Sequence, residues 1–249
     1  MHHLGVRMTI ADTDTLAQTE LRDMVASGEL AIVSAGFRCF TKTELIRQLG
    51  IQQESLAFDS GFFPPQAVAR MLESDTIDLT PGHTACIKTE NYQDAQLGKG
   101  IRFERSTYAK VDQLATDPAM RGLNHYLDTT FGYYTVDEAN GYILAHYNWH
   151  RFGAGKGGRV HDVPGNIVKI GAMLTKRLDR IKQKCRDARA VLMVVGETQG
   201  YDYMMIDDAV FPLGETGPVD DACKKLFGAK CQMVTLADVA TPQAALDLL

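Results

Sequence analysis

The sequence predicts an α/β fold: a largely parallel sheet flanked by helices, with a small mixed insertion in the first half. Three observations predict it. Ala31-Ile32-Val33-Ser34 and Ala190-Val191-Leu192-Met193-Val194-Val195 are short apolar runs rich in β-branched residues. The second run shows no polar alternation, the pattern of a strand covered on both faces. Amphipathic segments alternate with these runs along most of the chain, as in sheets layered between helices.

Taken in order, residues 1–28 read as an N-terminal lead-in with a short helix from Thr15 to Ala26. Residues 29–249 read as a single α/β domain with an irregular insertion at about 75–135. The strand at 31–34 is followed by a tight connection, Ala35-Gly36-Phe37-Arg38, and by a helix over Cys39–Leu49 closed by Gly50. Leu56-Ala57-Phe58-Asp59 reads as a short strand. Pro64 and Pro65 open a helix through Glu73, since proline suits a first turn. Thr84–Lys88 and Ile101–Arg105 read as strands of mixed polarity, and Tyr142–His146 as an apolar strand.

Arg151–Arg159 carries four glycines in nine residues and reads as a mobile loop. The longest helix is expected over Gly165–Ala188, where Ile167, Ile170, Leu174, Leu178, Ile181 and Cys185 recur at three- and four-residue steps. It feeds the strand at 190–196. A helix over Asp220–Phe227, a strand over Gln232–Leu236 and a helix over Pro242–Leu249 complete the reading.

Composition narrows the function. With 45 % hydrophobic and 23 % charged residues, 249 residues can bury a core without disulfide or metal staples. A net charge of −5 and no block of like charges give no reason to expect nucleic acid as a partner. The first residues lack the apolar core of a signal peptide, and no run approaches the roughly 20 apolar residues of a membrane helix. A cytoplasmic protein with no membrane partner is expected. The five cysteines (Cys39, Cys86, Cys185, Cys223 and Cys231) lack zinc-site spacings, which fits free thiols in a reducing compartment. Cys185, Cys223 and Cys231 read as packing residues. No cofactor and no bound metal are expected.

Cys39 is the first candidate for chemistry. A cysteine in the first turn of a helix meets unpaired N–H groups and the positive end of the macrodipole, which favour its thiolate. Arg38 beside it acts in the same direction. The competing reading is a small packing residue at a strand–helix junction. A thiol nucleophile needs a base, and often a third group to orient it. His146-Tyr147-Asn148-Trp149-His150 puts both imidazoles on one side whether the segment is strand or helix, and Asn148 joins them in a strand. His161 is a rival base. One histidine at a core edge with the other solvated is the plainer reading, and a zinc site with Asp162 or Asp59 is a third. Asp59 lies among aromatics and prolines, where it would orient a histidine, bind a substrate amine, or hydrogen-bond its own turn. Lys156 in the glycine loop lacks a following Ser or Thr, so the loop is no P-loop. It reads as a plain flexible loop or as a basic lid over an anionic ligand.

Val33-Ser34-Ala35-Gly36-Phe37-Arg38-Cys39, then Leu45-Ile46-Arg47-Gln48-Leu49-Gly50 and Phe58-Asp59, resembles a bacterial family described as papain-like cysteine peptidases of unknown function. Ile143–His146 and Lys176–Ile181 are similar to its later parts. The resemblance implies Cys39 as nucleophile, a histidine of the 146–150 segment as base, and Asp59 as a site residue. Arg38 stands where that family commonly has a polar amide.

Two functions follow as expectations. The first is a thiol-dependent hydrolase or acyl transferase built on Cys39, His146 or His150, and Asp59, acting on a small-molecule, peptide or glycan substrate. Gly36, Arg38, Asn148 and Lys156 would bind that substrate. The alternative is a non-covalent ligand-binding or glycosyltransferase-like protein that holds a phosphate or nucleotide-sugar at the Val33–Arg38 turn. A non-catalytic interaction protein with an enzyme-like core is the third.

Overall fold

The computed structural model describes residues 10–59, 61–79, 87–105, 135–137, 139–144 and 163–249. Its centre is a three-stranded parallel sheet of β1 (Leu30–Ser34), β6 (Ala190–Val195) and β9 (Cys231–Thr235), with β6 in the middle. Strand periodicity sorts the side chains of this sheet into two cores. Ala31, Val33, Val191, Met193 and Cys231 face one cluster, which also holds residues of α3 (Pro65–Glu73), α4 (Val163–Asp187) and α5 (Gly217–Phe227). Leu30, Ile32, Leu192 and Val234 face the other, with α1 (Ile10–Ser27), α2 (Phe40–Leu49) and α6 (Pro242–Leu246). Successive residues of a strand point to opposite faces, so this partition puts helices on both sides of the sheet. The fold is the α/β class expected.

The long helix carries its stripe where the periodicity puts it. Ile167, Ile170, Leu174, Leu178, Ile181 and Cys185 are all fully buried. Gly50 closes α2 in the left-handed conformation (φ 62°), its N–H donating to Ile46 O at 3.0 Å.

A second sheet orders its strands β2-β3-β7-β8. β2 (Ile87–Asp94) and β3 (Gly98–Arg105) form an antiparallel pair within the expected insertion. β3 then pairs in parallel with β7 (Tyr203–Ile206), which turns back antiparallel to β8 (Ala209–Pro212). The insertion is therefore completed by a hairpin from the far end of the chain. That hairpin has no Asn-Gly or Asp-Gly signature; its turn is Asp207-Asp208, with Asp207 at φ 51°. β4 (Thr135–Asp137) and β5 (Tyr142–Leu144) make a further hairpin, bridged to Phe62 through Ile143.

One expected strand is absent. Ala57–Asp59 is a turn of 3-10 helix, because the Asp59 carboxylate accepts the Leu56 N–H at 2.6 Å and closes the segment on itself. Leu56, Ala57 and Phe58 are all buried, and such a run looks like a covered strand in sequence.

A third core packs the second sheet and the β4–β5 hairpin against the turn that follows β1. Phe37 and Phe62 pack there with Ile101, Phe103, Ile143 and Met204. Phe62 meets Phe37 edge-on at 5.7 Å and Phe103 at 5.0 Å between ring centroids. Truncating Leu174 at the middle of the α4 stripe is expected to cost about 2–5 kcal/mol, since the site is enclosed and collapses poorly. Urea unfolding of Leu174→Ala is expected to show a lower midpoint at unchanged slope.

Candidate functional site

The candidate site grows from the end of β1. The ladder to β6 continues one residue past the strand, with Ala35 N–H donating to Val194 O at 2.8 Å. The next residue, Gly36, is pressed against the segment that follows β6. A Cβ on Gly36 would lie 2.8 Å from Gly196 Cα and closer still to Thr41 Oγ1. A Cβ on Gly196 would lie 3.0 Å from Gly36 Cα and again collide with Thr41 Oγ1. Two glycines and a threonine thus seat the β1–α2 turn on the carboxyl end of β6. This is the region of a parallel sheet where ligands commonly bind.

The turn delivers Phe37, Arg38 and Cys39 in order. Phe37 is anchored by its carbonyl, which accepts Phe63 N–H at 3.0 Å, and by its ring in the third core. The Arg38 guanidinium lies over the Phe62 ring, 4.9 Å from its centroid, and donates to Gln199 Oε1. Gln199 holds a left-handed backbone (φ 54°) in the loop after β6. Cys39 is the N-cap of α2 and is partly exposed. A helix leaves its first N–H groups without intrahelical acceptors; here the Thr41 N–H donates to Arg38 O at 3.2 Å, and the Cys39 side chain makes no cap hydrogen bond to α2.

Beneath this turn lies a buried charged node. Asp59 is 7 % exposed. Its Oδ1 accepts Ser34 Oγ–H at 2.6 Å, and its Oδ2 accepts Leu56 N–H at 2.6 Å and the Lys42 ammonium at 2.8 Å. Lys42 also donates to Glu54 O at 3.0 Å. Arg177 of α4 feels the same carboxylate. Its partial burial pulls its pKa below the ordinary arginine value, while the Asp59 charge pushes back. The turn-residue role expected for Asp59 is present in its bond to Leu56, and the ion pair with Lys42 is added to it.

Sequence reading missed Lys42. The signal was available: a lysine in the first turn of a helix opposes the macrodipole and needs a negative partner. α2 has no acidic residue in that turn, so the partner had to come from elsewhere.

The other thiols differ in kind. Cys185, Cys223 and Cys231 are buried. Burial pushes the Cys185 thiol up to about 12. Cys223 is pushed up by its hydrogen bond to Cys231 and by burial. Cys231 is pulled below the ordinary thiol value by that same hydrogen bond, so what keeps all three from alkylation is burial in the core, which denies a reagent access.

The structure therefore gathers Gly36, Arg38, Cys39 and Asp59 around the carboxyl end of β1. His146, Asn148, His150, Lys156 and His161 lie outside the described residues, as does Cys86. Among the described residues no group of three or more His, Cys, Asp or Glu is arranged to hold a metal ion, and no helix is long and apolar enough to cross a membrane. A cavity of about 270 Å³ opens beside the same turns, between the ends of β6 and β9, with Gly196 in its wall. Comparison with protein-family models, with characterised proteins and with solved structures finds no match to this chain.

Four variants test how the turn is held. Gly36→Ala is expected to lose about 1–3 kcal/mol by overpacking, and Gly36→Ala/Thr41→Ala to recover only part, because Gly196 Cα remains in the way. Asp59→Ala is expected to cost about 3–5 kcal/mol, as for one partner removed from a buried pair. Lys42→Met is expected to cost less, because the carboxylate keeps Ser34 and Leu56 as partners. Urea midpoints of the four proteins check the order.

Proposed function

We propose that this chain is a thiol-dependent acyl-transfer enzyme, a hydrolase or acyl transferase of papain-like chemistry, with Cys39 as nucleophile. The observation that carries the reading is the position of Cys39: a partly exposed thiol at the N-cap of α2, on the carboxyl side of a parallel strand. Three further features support it. Arg38 keeps a positive charge at the neighbouring position, over Phe62. The Gly36–Gly196 contact makes the turn rigid, as a preorganised nucleophile requires. β5 ends at Leu144, two residues before His146 in sequence, and is bonded through Ile143 to that same Phe62.

In this reading the Cys39 thiolate attacks a carbonyl carbon, and the thiol proton passes to a histidine of the 146–150 segment. Backbone N–H groups at the start of α2 stabilise the oxyanion. Collapse of the tetrahedral intermediate expels the leaving group, which takes the proton from the imidazolium. Water or an acceptor nucleophile then releases the acyl group from sulfur. Asp59 acts as a positioning residue: it grips Ser34 at the end of β1 and Lys42 one turn into α2, on either side of Cys39. The substrate is a carbonyl compound, whether small molecule, peptide or glycan derivative. A reducing, cytoplasmic setting keeps the thiol reduced.

Iodoacetamide at pH 6 with peptide mass spectrometry tests the nucleophile. Cys39 is expected to be alkylated about tenfold faster than any other cysteine of the native protein. A Cys39 rate no greater than that of Cys86 overturns the reading. Cys39→Ser separates it from non-covalent binding of a phosphate or nucleotide-sugar. Loss of turnover with an unchanged melting temperature supports thiol chemistry; a nucleotide-sugar thermal shift that survives the substitution supports binding.

A further inference from the structure

We propose that the cavity between the carboxyl ends of β6 and β9 is a binding site for a compact apolar cation, an alkyl- or arylammonium group. The site follows from shape and charge. Its volume of about 270 Å³ lies at the small end of ligand pockets, which suits a single ring or short chain. Val195, Leu213, Met233 and Val234 give it apolar walls. Leu213 and Val234 belong to two of the protein's cores, so those walls are fixed.

The charged side chains lining it are Glu197 and Asp238, both acidic, with no Lys, Arg or His among the described lining residues. Asp238 is locked at the end of β9, its Oδ2 accepting Thr235 N–H and Thr235 Oγ–H, each at 2.8 Å. Those bonds hold its carboxyl below the usual range, so it is anionic at neutral pH. Glu197 is exposed in the segment just after β6. One opposing effect is present: Thr216, the N-cap of α5, also lines the cavity and brings the positive end of that helix. Glu197 and Asp238 are both exposed, so solvent screens them, but a helix end carries only about half a charge, and the two carboxylates still bias the local field toward a cation. An anion of the same shape meets repulsion, and a neutral isostere gains only the apolar contact.

Gly196 belongs both to this cavity and to the contact with Gly36, so the site adjoins the Cys39 turn. Resting on the acyl-transfer reading, the ammonium compound is the amine side of the reaction: it gives one proton to solvent, the neutral amine attacks the thioester carbonyl, the C–S bond breaks with its electron pair going to sulfur, the second amine proton passes to that thiolate, and the amide is released with Cys39 restored as a thiol. Binding of the cation itself does not require Cys39.

The test uses the full chain as Cys39→Ala, which keeps binding separate from thiol chemistry. Benzylamine, benzyl alcohol and benzoate are titrated and followed by thermal shift, since a ligand of the native state raises the melting temperature. Benzylamine is expected to give a saturable rise, benzyl alcohol a smaller one, and benzoate none. Glu197→Gln is expected to weaken benzylamine roughly two- to fivefold, in line with an exposed charge pair. Val195→Phe is expected to abolish the rise by filling the cavity. Equal shifts for benzylamine and benzyl alcohol, a larger shift for benzoate, no shift at all, or a shift untouched by both substitutions overturns the proposal. Each of these outcomes is independent of the alkylation rate of Cys39 in the unsubstituted protein.

Discussion

Two turns of this protein meet backbone to backbone, and the geometry of its candidate site depends on that meeting. The segment after β1 and the segment after β6 approach until only glycine fits on either side, with the Thr41 side chain packed against both. A closer approach than ordinary side chains allow brings the start of α2 down onto the sheet. The N-cap of α2 is thereby held at the carboxyl end of the strands, where helix N-termini and strand ends share one surface. Cores are close-packed and transmit strain poorly tolerated by their neighbours, so a methyl group here displaces the helix start rather than finding a gap.

The same helix start carries an electrostatic conflict that the fold resolves from below. Lys42 in the first turn of α2 is the wrong charge for that end of a helix. Asp59 supplies the counter-charge from the 3-10 turn and ties in the last residue of β1 through Ser34. A carboxylate with three partners of its own lies in the category of buried groups whose partners must be complete. Its position makes it a brace for the residues on both sides of Cys39.

The residues of the candidate site sit at a junction of cores. Phe37 belongs to the third cluster, while Ala35, two positions earlier, belongs to the first. Arg38 reaches across to Phe62, which is bridged to the β4–β5 hairpin. The site is thus framed by the parallel sheet on one side and the mixed sheet on the other. The adjoining cavity carries opposite electrostatics to the turn: acidic at Glu197 and Asp238, cationic at Arg38.

Local pattern was enough to identify the elements of the parallel layer. Six apolar positions at helical spacing define the buried stripe of α4, β-branched runs define β1 and β6, and Gly50 marks the end of α2, because each depends only on the periodicity or backbone freedom of its own segment. Cys39 at a helix start was legible for the same reason. Tertiary structure decided what depends on distant partners. Ala57–Asp59 curls because its carboxylate finds an amide three residues back and a lysine on another element. β3 finds its neighbour about a hundred residues on, in a hairpin whose Asp-Asp turn carries no strong local signal. Gly36 and Gly196 look like ordinary loop glycines until the two turns are brought together, because steric exclusion between segments 160 residues apart leaves no mark on either one alone.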